Sequence, residues 1–501
     1  MLPLHFQIYG YMQTVKNKFR FIFFAAVVFC NTAGSAQVIG DTTGTLTWSL
    51  NLADSVLTIS GSGVMPNYNF TDYLAPWDSY KTAIAMVVIG DSVTSIGDFA
   101  FYGDSNLRSV IITDSVASIG NYAFNECRKL ASVTISDKVA SIGNYAFTFC
   151  CNLTSVIVPD NVVSIGKYVF QFCSNLVSAQ LSNKITRIED YTFSECINLT
   201  SVNIPDKVTR IGYAAFSNCG KLTSVVLPES LDSIICFAFS DCSSLTSITI
   251  PANVAYIDSS YVFGFCNSLR AINVDDNNAA YASEDGVLFN KSKTKLIQYP
   301  MGKTNTYYVV PNSVTEIGIS AFRSCIRLTT VIISNNVIII NQQAFAGCIS
   351  LKSATIGNSV ANISYGSFNS AGLKEIFSLN ETPPATAPDN TTFSSVDKTV
   401  CVLHVPVGCK NKYSIADSWK EFLIIEDDIT DILAYSNPSF PIYPNPTSGT
   451  VYLPTECLIK IYTIAGQLLQ ETVGKEIDLS TYPQGMYFLQ TANGWTKIVK
   501  E

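Results

Sequence analysis

The sequence predicts a mainly β fold with short helical turns: a solenoid of 23-residue coils followed by a small C-terminal β-sandwich. Isoleucine recurs every 23 residues from Ile96 to Ile257 and again at Ile317, Ile340 and Ile363, eleven coils in all. Phenylalanine follows at one fixed offset (Phe101, Phe124, Phe147 and onward to Phe368) and leucine at another (Leu107, Leu130, Leu153 and onward to Leu351). Inside a unit Val156 and Val158 alternate with Ser155 and Ile157, the period of a strand with one buried face.

Taken in chain order, the start reads as a signal peptide, residues 12–36, with Met12 the better initiator. Lys16, Lys18 and Arg20 precede a short apolar run from Phe21 to Phe29, and Gly34-Ser35-Ala36 supplies small residues for cleavage between Ala36 and Gln37. The apolar run is too short for a stable membrane span. A lipoprotein reading through Cys30 is the rival, with Val28-Phe29 the wrong residues before it.

The coils of residues 93–376 each carry a first strand such as Ser155–Val158 and a second extended piece such as Val162–Ile165. Glycine follows the isoleucine at Gly97, Gly120, Gly143, Gly166, Gly212 and Gly318 and marks a bend. Glu189, Ile235 and Asp258 hold the same place, so a left-handed backbone is not obligatory there. Proline closes the first strand at Pro159, Pro205, Pro228, Pro251 and Pro311. One coil buries too few apolar side chains to offset the ordering of its backbone, so the coils must stack and share faces. At about 4.8 Å per coil the array is roughly 50 Å long. The longer segment 275–311 reads as a hairpin-like elaboration, with Tyr281–Phe289 a turn leading into a strand and Lys295–Pro300 its partner.

The unit I-G-x-x-A-F-x-x-C-x-x-L-x-S-V-x-I-P closely resembles the BspA-like class of bacterial leucine-rich repeats. Asp285–Asn290 (D-G-V-L-F-N) and Leu296–Pro300 (L-I-Q-Y-P) are similar to that class too. Leu46-Thr47-Trp48, Leu57–Gly63 and Ala75-Pro76-Trp77 resemble its N-terminal cap, placed at 37–92; a C-terminal cap follows at 377–427. Beyond an acidic, proline-bearing linker (428–440), residues 441–501 resemble the C-terminal sorting domain of type IX secretion substrates. The residues that carry this likeness are Pro444, Asn445, Pro446 and Gly449, then Gly485 and Tyr487, and Lys497 near the end. By itself the tail reads as a small β-sandwich of about seven short strands. The resemblance implies export by the secretion machinery, removal of the domain and attachment of the remainder to the outer surface of a Gram-negative bacterium.

Composition narrows the function. A net charge of −8 and a pI near 5.0, with no basic stripe, argue against nucleic acid. The two histidines, His5 and His404, leave no material for a triad or a multi-histidine metal site, so the sequence predicts no enzyme, no metal and no cofactor. His404 reads as an ordinary strand residue, and Asp275-Asp276-Asn277-Asn278 as a polar turn rather than a calcium site. Nine of the 15 cysteines share one repeat position (Cys127 to Cys348). Stacking at about 4.8 Å puts them outside usual disulfide geometry, so they read as a ladder of free, buried thiols. A local Cys401–Cys409 bridge is the lesser alternative.

The outward side of the first strands is the candidate binding face. A serine ladder (Ser109, Ser132, Ser155, Ser178, Ser201, Ser224, Ser247) runs beside residues of varied type, including Ile332 and Thr355 farther along. Its central members are Ser155, Ile157, Gln180, Asn203, Val226 and Thr249. Small hydroxyls there equally keep an exposed sheet soluble. The resemblance implies a cell-surface adhesin that attaches to host extracellular-matrix protein, glycan or another bacterium. The alternative is a structural surface component, or a polysaccharide-capturing or enzymatic accessory.

Overall fold

The computed structural model describes residues 37–258, 261–387, 391–429, 447, 449–463, 468–491 and 494–500. The signal peptide with Ala36, the linker from residue 430 and Pro444, Asn445 and Pro446 lie outside the described residues, as does the side chain of Lys497.

The repeat stacks into a solenoid because every coil buries the same side chains. In the coil from Val139 to Val158, Val139, Ile142, Ala146, Phe147, Cys150, Leu153, Val156 and Val158 are all buried. The phenylalanines form one internal stack. Trp77 opens it against Phe101 (centroids 5.6 Å), and the rings then follow at 5.2–5.9 Å to Phe263. Tyr299 resumes the stack, which passes through Phe322, Phe345, Phe368 and Phe393 to the buried Trp419. Phe263 escapes the strict sequence period because its coil is one residue longer.

Three hydrogen-bonded ladders join the coils. The first and second strands pair in parallel with their equivalents, as Ser155–Ile157 with Ser178–Gln180 and Ser141–Ile142 with Ser164–Ile165. The turn segment makes a third ladder: Tyr122, Phe124 and Glu126 donate their N–H groups to the carbonyls of Asn144, Ala146 and Thr148 on the next coil. Tyr122 and Glu126 reach that geometry with φ of 54° and 61°, and their equivalents do the same along the array. A left-handed residue other than glycine costs about 1–2 kcal/mol, which the shared hydrogen bonds offset.

The glycine after the isoleucine has a different use. No left-handed φ occurs there; a Cβ at Gly143 would lie 2.6 Å from Asn121 N and 2.7 Å from Gly120 C, on the preceding coil. Space between coils, and not backbone conformation, selects glycine. The second-strand ladder is interrupted between Ser164–Ile165 and Arg187–Ile188, the first coil with a side chain (Glu189) at that place. It holds at Ile235 and Asp258, so the side chain alone does not dictate the break.

Both ends are capped. At the N-terminus Val38–Thr43, Leu46–Asn51 and Val56–Gly61 form an antiparallel meander whose last strand pairs in parallel with Met86–Ile89. Trp77 is buried there and donates Nε1–H to Ala100 O (2.8 Å). At the other end Val402–Pro406 lies between Glu375–Ser378 and Ile424–Ile429. Tyr413 and Trp419 plug the core from a short helix, Lys410–Tyr413, and the turn after it.

The insertion is a three-stranded meander, fuller than the single turn and strand pair expected from the sequence. Tyr281–Glu284 is itself a strand, paired with Val287–Asn290 across a turn at Asp285-Gly286, where both φ are positive (48° and 70°). Lys295–Gln298 pairs antiparallel with Val287–Asn290 and parallel with Glu316–Ile317, handing the stack to the next coil. Asn278, fully buried, locks its base: Nδ2 donates to Pro251 O and Val254 O while Oδ1 accepts from Ala280 and Tyr281 N–H. Asp275 Oδ1 accepts from Asn277, so this polar run works as a turn.

In the C-terminal domain four antiparallel strands are described (Thr450–Thr463, Leu468–Asp478, Gly485–Thr491, Gly494–Lys500), fewer and longer than the seven expected. The first changes register between Tyr452 and Cys457, and Val451, Ile459, Ile461, Ile477, Leu489 and Ile498 build its core.

Candidate functional site

The predicted face is real sheet for part of its length. Ser155–Ile157, Ser178–Gln180 and Ser201–Asn203 pair in register, aligning Ser155, Ser178 and Ser201 in one row and Ile157, Gln180 and Asn203 in another. Ser155, Gln180 and Asn203 are exposed, and Ile157 is 43% exposed. The backbone hydrogen bonds lie within the sheet, so the outward side chains are free to meet a partner, with one exception. Asn203 Oδ1 accepts the N–H of Leu181 (2.7 Å), tying that side chain to the neighbouring coil.

Val226 and Thr249 are not on this sheet. The coil carrying Val226 has no first strand, and Val226 stands 83% exposed on irregular backbone. Thr249 belongs to Ser247–Ile250, which pairs with Ala271–Val274 in a separate two-stranded sheet. The face also closes farther along: Ile332 and Thr355, expected on the open side, are only 7% and 3% exposed. Alternation predicts direction but not what covers it.

His404 stacks on Phe377 (centroids 4.4 Å, 8° between planes), and its Nδ1 lies 2.8 Å from Asp428 Oδ2. This fits its reading as a strand residue. Among the described residues no group of three His, Cys, Asp or Glu side chains is placed to hold a metal ion. None of the fourteen described cysteines is in a disulfide, Cys401 and Cys409 included. The nine ladder thiols are buried, and each Sγ–H faces the carbonyl of the ring residue on the preceding coil, as Cys173 to Phe147 O (3.3 Å) and Cys348 to Phe322 O (3.0 Å). Burial pushes the Cys266 and Cys348 thiols up to about 12, so they are poor nucleophiles.

Two features were not singled out from the sequence, although both repeat at the 23-residue period. One is an external row of rings, Phe99, Tyr122, Tyr145, Tyr168 and Tyr191, stacked at 4.3–4.6 Å and within 11° of parallel. The other is a groove of about 710 Å³ along the second strands of the first four coils. Ser118, Gly120, Ser141 and Gly143 lie in its floor, Asn121 and Asn144 along it, and the cap segment from Val64 to Asn67 bounds one end.

Comparison with known proteins agrees with this architecture. Residues 79–196, 163–295 and 301–395 match the BspA type leucine rich repeat region, and residues 441–501 match the secretion system C-terminal sorting domain. Among solved structures, a leucine rich cell surface protein of Faecalibacterium prausnitzii is 26% identical over 79% of this chain and 100% of its own, with a TM-score of 0.46. A leucine-rich repeat protein of Bacteroides ovatus is 20% identical over 77% of this chain and 98% of its own, with a TM-score of 0.50. No curated protein matches the chain.

Proposed function

Because the chain belongs to the BspA-type leucine-rich-repeat family and ends in a secretion sorting domain, we propose that it is a non-catalytic adhesin on the outer surface of a Gram-negative bacterium. The observation that carries the reading is the in-register outer sheet of Ser155–Ile157, Ser178–Gln180 and Ser201–Asn203. It offers a flat, uncharged surface of small polar groups with Ile157 as an apolar contact, the kind of face a solenoid presents to a large partner. The partner is a host extracellular-matrix protein, a glycan or the surface of another bacterium, and the secretion machinery reads the C-terminal domain, including Gly449, Gly485 and Tyr487.

The test is capture of matrix proteins on an array by the purified chain, beside a variant carrying Arg or Glu at Ser155, Ile157, Gln180 and Asn203. Saturable capture that the variant loses supports an adhesin working through this sheet. Capture that survives the four substitutions removes this face from the mechanism, and turnover of any array component contradicts the non-catalytic reading. Since the face is uncharged, capture changes little with salt.

A further inference from the structure

We propose that a cavity where the insertion meets the next coil is a site for a monatomic anion, chloride or another halide, that joins the two halves of the solenoid. The inference goes beyond the adhesin reading and does not depend on it. The cavity measures about 10 Å³, room for one monatomic body, and Tyr261, Phe265, Gln298, Met301, Ser320 and Arg323 line it. Its origin lies in the repeat. Tyr122 and Tyr145 stand two residues before the internal rings Phe124 and Phe147, and Ser320 holds that place before Phe322. The backbone at Ser320 is left-handed (φ of 54°), as at the tyrosines. A serine where earlier coils carry a ring leaves part of the ring's volume to the cavity.

The chemistry of the lining points to an anion. Ser320 Oγ and Arg323 Nε are sealed from solvent and have no hydrogen-bond partner among the described residues. Ser320 as a whole is only 4% exposed. A buried donor left unpaired is costly, the more so on a charged group. The guanidinium is engaged on its other side, where Nη1 donates to Gln343 Oε1 (2.6 Å), an oxygen that also accepts from Tyr261 Oη–H (2.6 Å). Arg323 joins no ion pair among the described residues. Its guanidinium lies over the rings of Tyr261 and Phe265 (5.4 and 5.9 Å), which offset the charge in part and bring no negative charge of their own. A cation is repelled by this arrangement, and a polyatomic anion such as sulfate exceeds the space. Water is the competing occupant, and it leaves the guanidinium charge unbalanced.

The site spans a seam. The buried core divides here into one set of side chains that ends at Leu288 and another that begins at Val287. The ring stack that reaches Phe263 resumes at Tyr299. Tyr261 lies on the coil before the seam, and Ser320 and Arg323 lie on the coil after it. An anion held between them stabilises the junction by mass action and makes its opening halide-dependent.

Hydrogen exchange by mass spectrometry on the full chain, in sodium chloride and in sodium gluconate at equal ionic strength, tests the assignment. Peptides spanning residues 261–270 and 318–326 exchange about tenfold more slowly when chloride is about ten times its Kd, and bromide acts as chloride does. Control peptides spanning residues 139–158 do not change. Ser320→Ala, which alters one small side chain, weakens the effect, and Arg323→Met, which keeps the stem and loses the charge, abolishes it. Each effect is a ratio within one variant, so a general loss of stability cancels. Equal exchange in chloride and gluconate assigns the cavity to water and overturns the proposal. So does a chloride effect that both substitutions leave intact, or one of equal size in the control peptides.

Discussion

Replacing Asp104 by asparagine raises the stability of the N-terminal coils, by an amount that grows with pH. Asp104 stands one period before Cys127, so a carboxyl occupies the first rung of the thiol ladder. It is 1% exposed, and its Oδ2 has no hydrogen-bond partner. Burial drives its pKa well up, the nearby Asp78 carboxylate adds to the rise, and Lys81 opposes it. The sign follows from proton linkage. Below about pH 4 both folded and unfolded chains hold the proton, and the carboxyl imposes no charge penalty. As pH rises past that point the unfolded chain releases the proton while the folded chain keeps it. Stability then falls by about 1.4 kcal/mol per pH unit until the folded-state pKa is reached. Asparagine keeps the shape and cannot ionise, so the gap between variant and parent opens from pH 4 upward and then levels. Hydrogen exchange by mass spectrometry over pH 4–8, read on peptides spanning residues 98–130, measures the opening of this coil alone. A gap that stays constant over that range means that the carboxyl is satisfied or hydrated in the fold, and the reasoning fails.

Two further outcomes follow from the ladders. Phe170→Ala removes a fully buried ring held 5.7 and 5.5 Å from Phe147 and Phe193, and costs about 3–5 kcal/mol. Since coils couple only to their neighbours, calorimetry of the variant shows the single melting transition split in two. A thiol reagent under native conditions labels Cys151, Cys236 and Cys457, which are partly exposed, and reaches the nine ladder thiols only after unfolding. Native labelling of the ladder refutes its closed packing.

The repeat was legible because stacking imposes the same demand on every coil. Ile142, Phe147, Cys150 and Leu153 each meet their own equivalents above and below, so any other residue there disturbs two interfaces at once. The period and the buried thiols follow from that constraint. What the thiols accomplish does not, for the carbonyl that Cys173 satisfies belongs to a turn whose shape depends on Tyr145 and Phe149 in left-handed backbone. No propensity rule places Tyr122 or Tyr168 there; the neighbouring coil's hydrogen bonds and ring stacking hold them. Outward positions obey a weaker rule. Alternation told Ser155 from Val156, but whether an outward residue meets solvent depends on chain that returns over it. Ile157 is open while Ile332, at the equivalent place, is covered. The groove illustrates the same limit from the other side. Glycine at Gly120 and Gly143 reads in sequence as a bend, whereas the coils approach so closely there that a Cβ would strike the preceding backbone. That close approach brings Ser118 and Ser141 into one channel, and the cap segment from Val64 to Asn67 bounds it from a distant part of the chain. The groove therefore lies where a strict inner period and an irregular cap meet, and only the first of these is written locally.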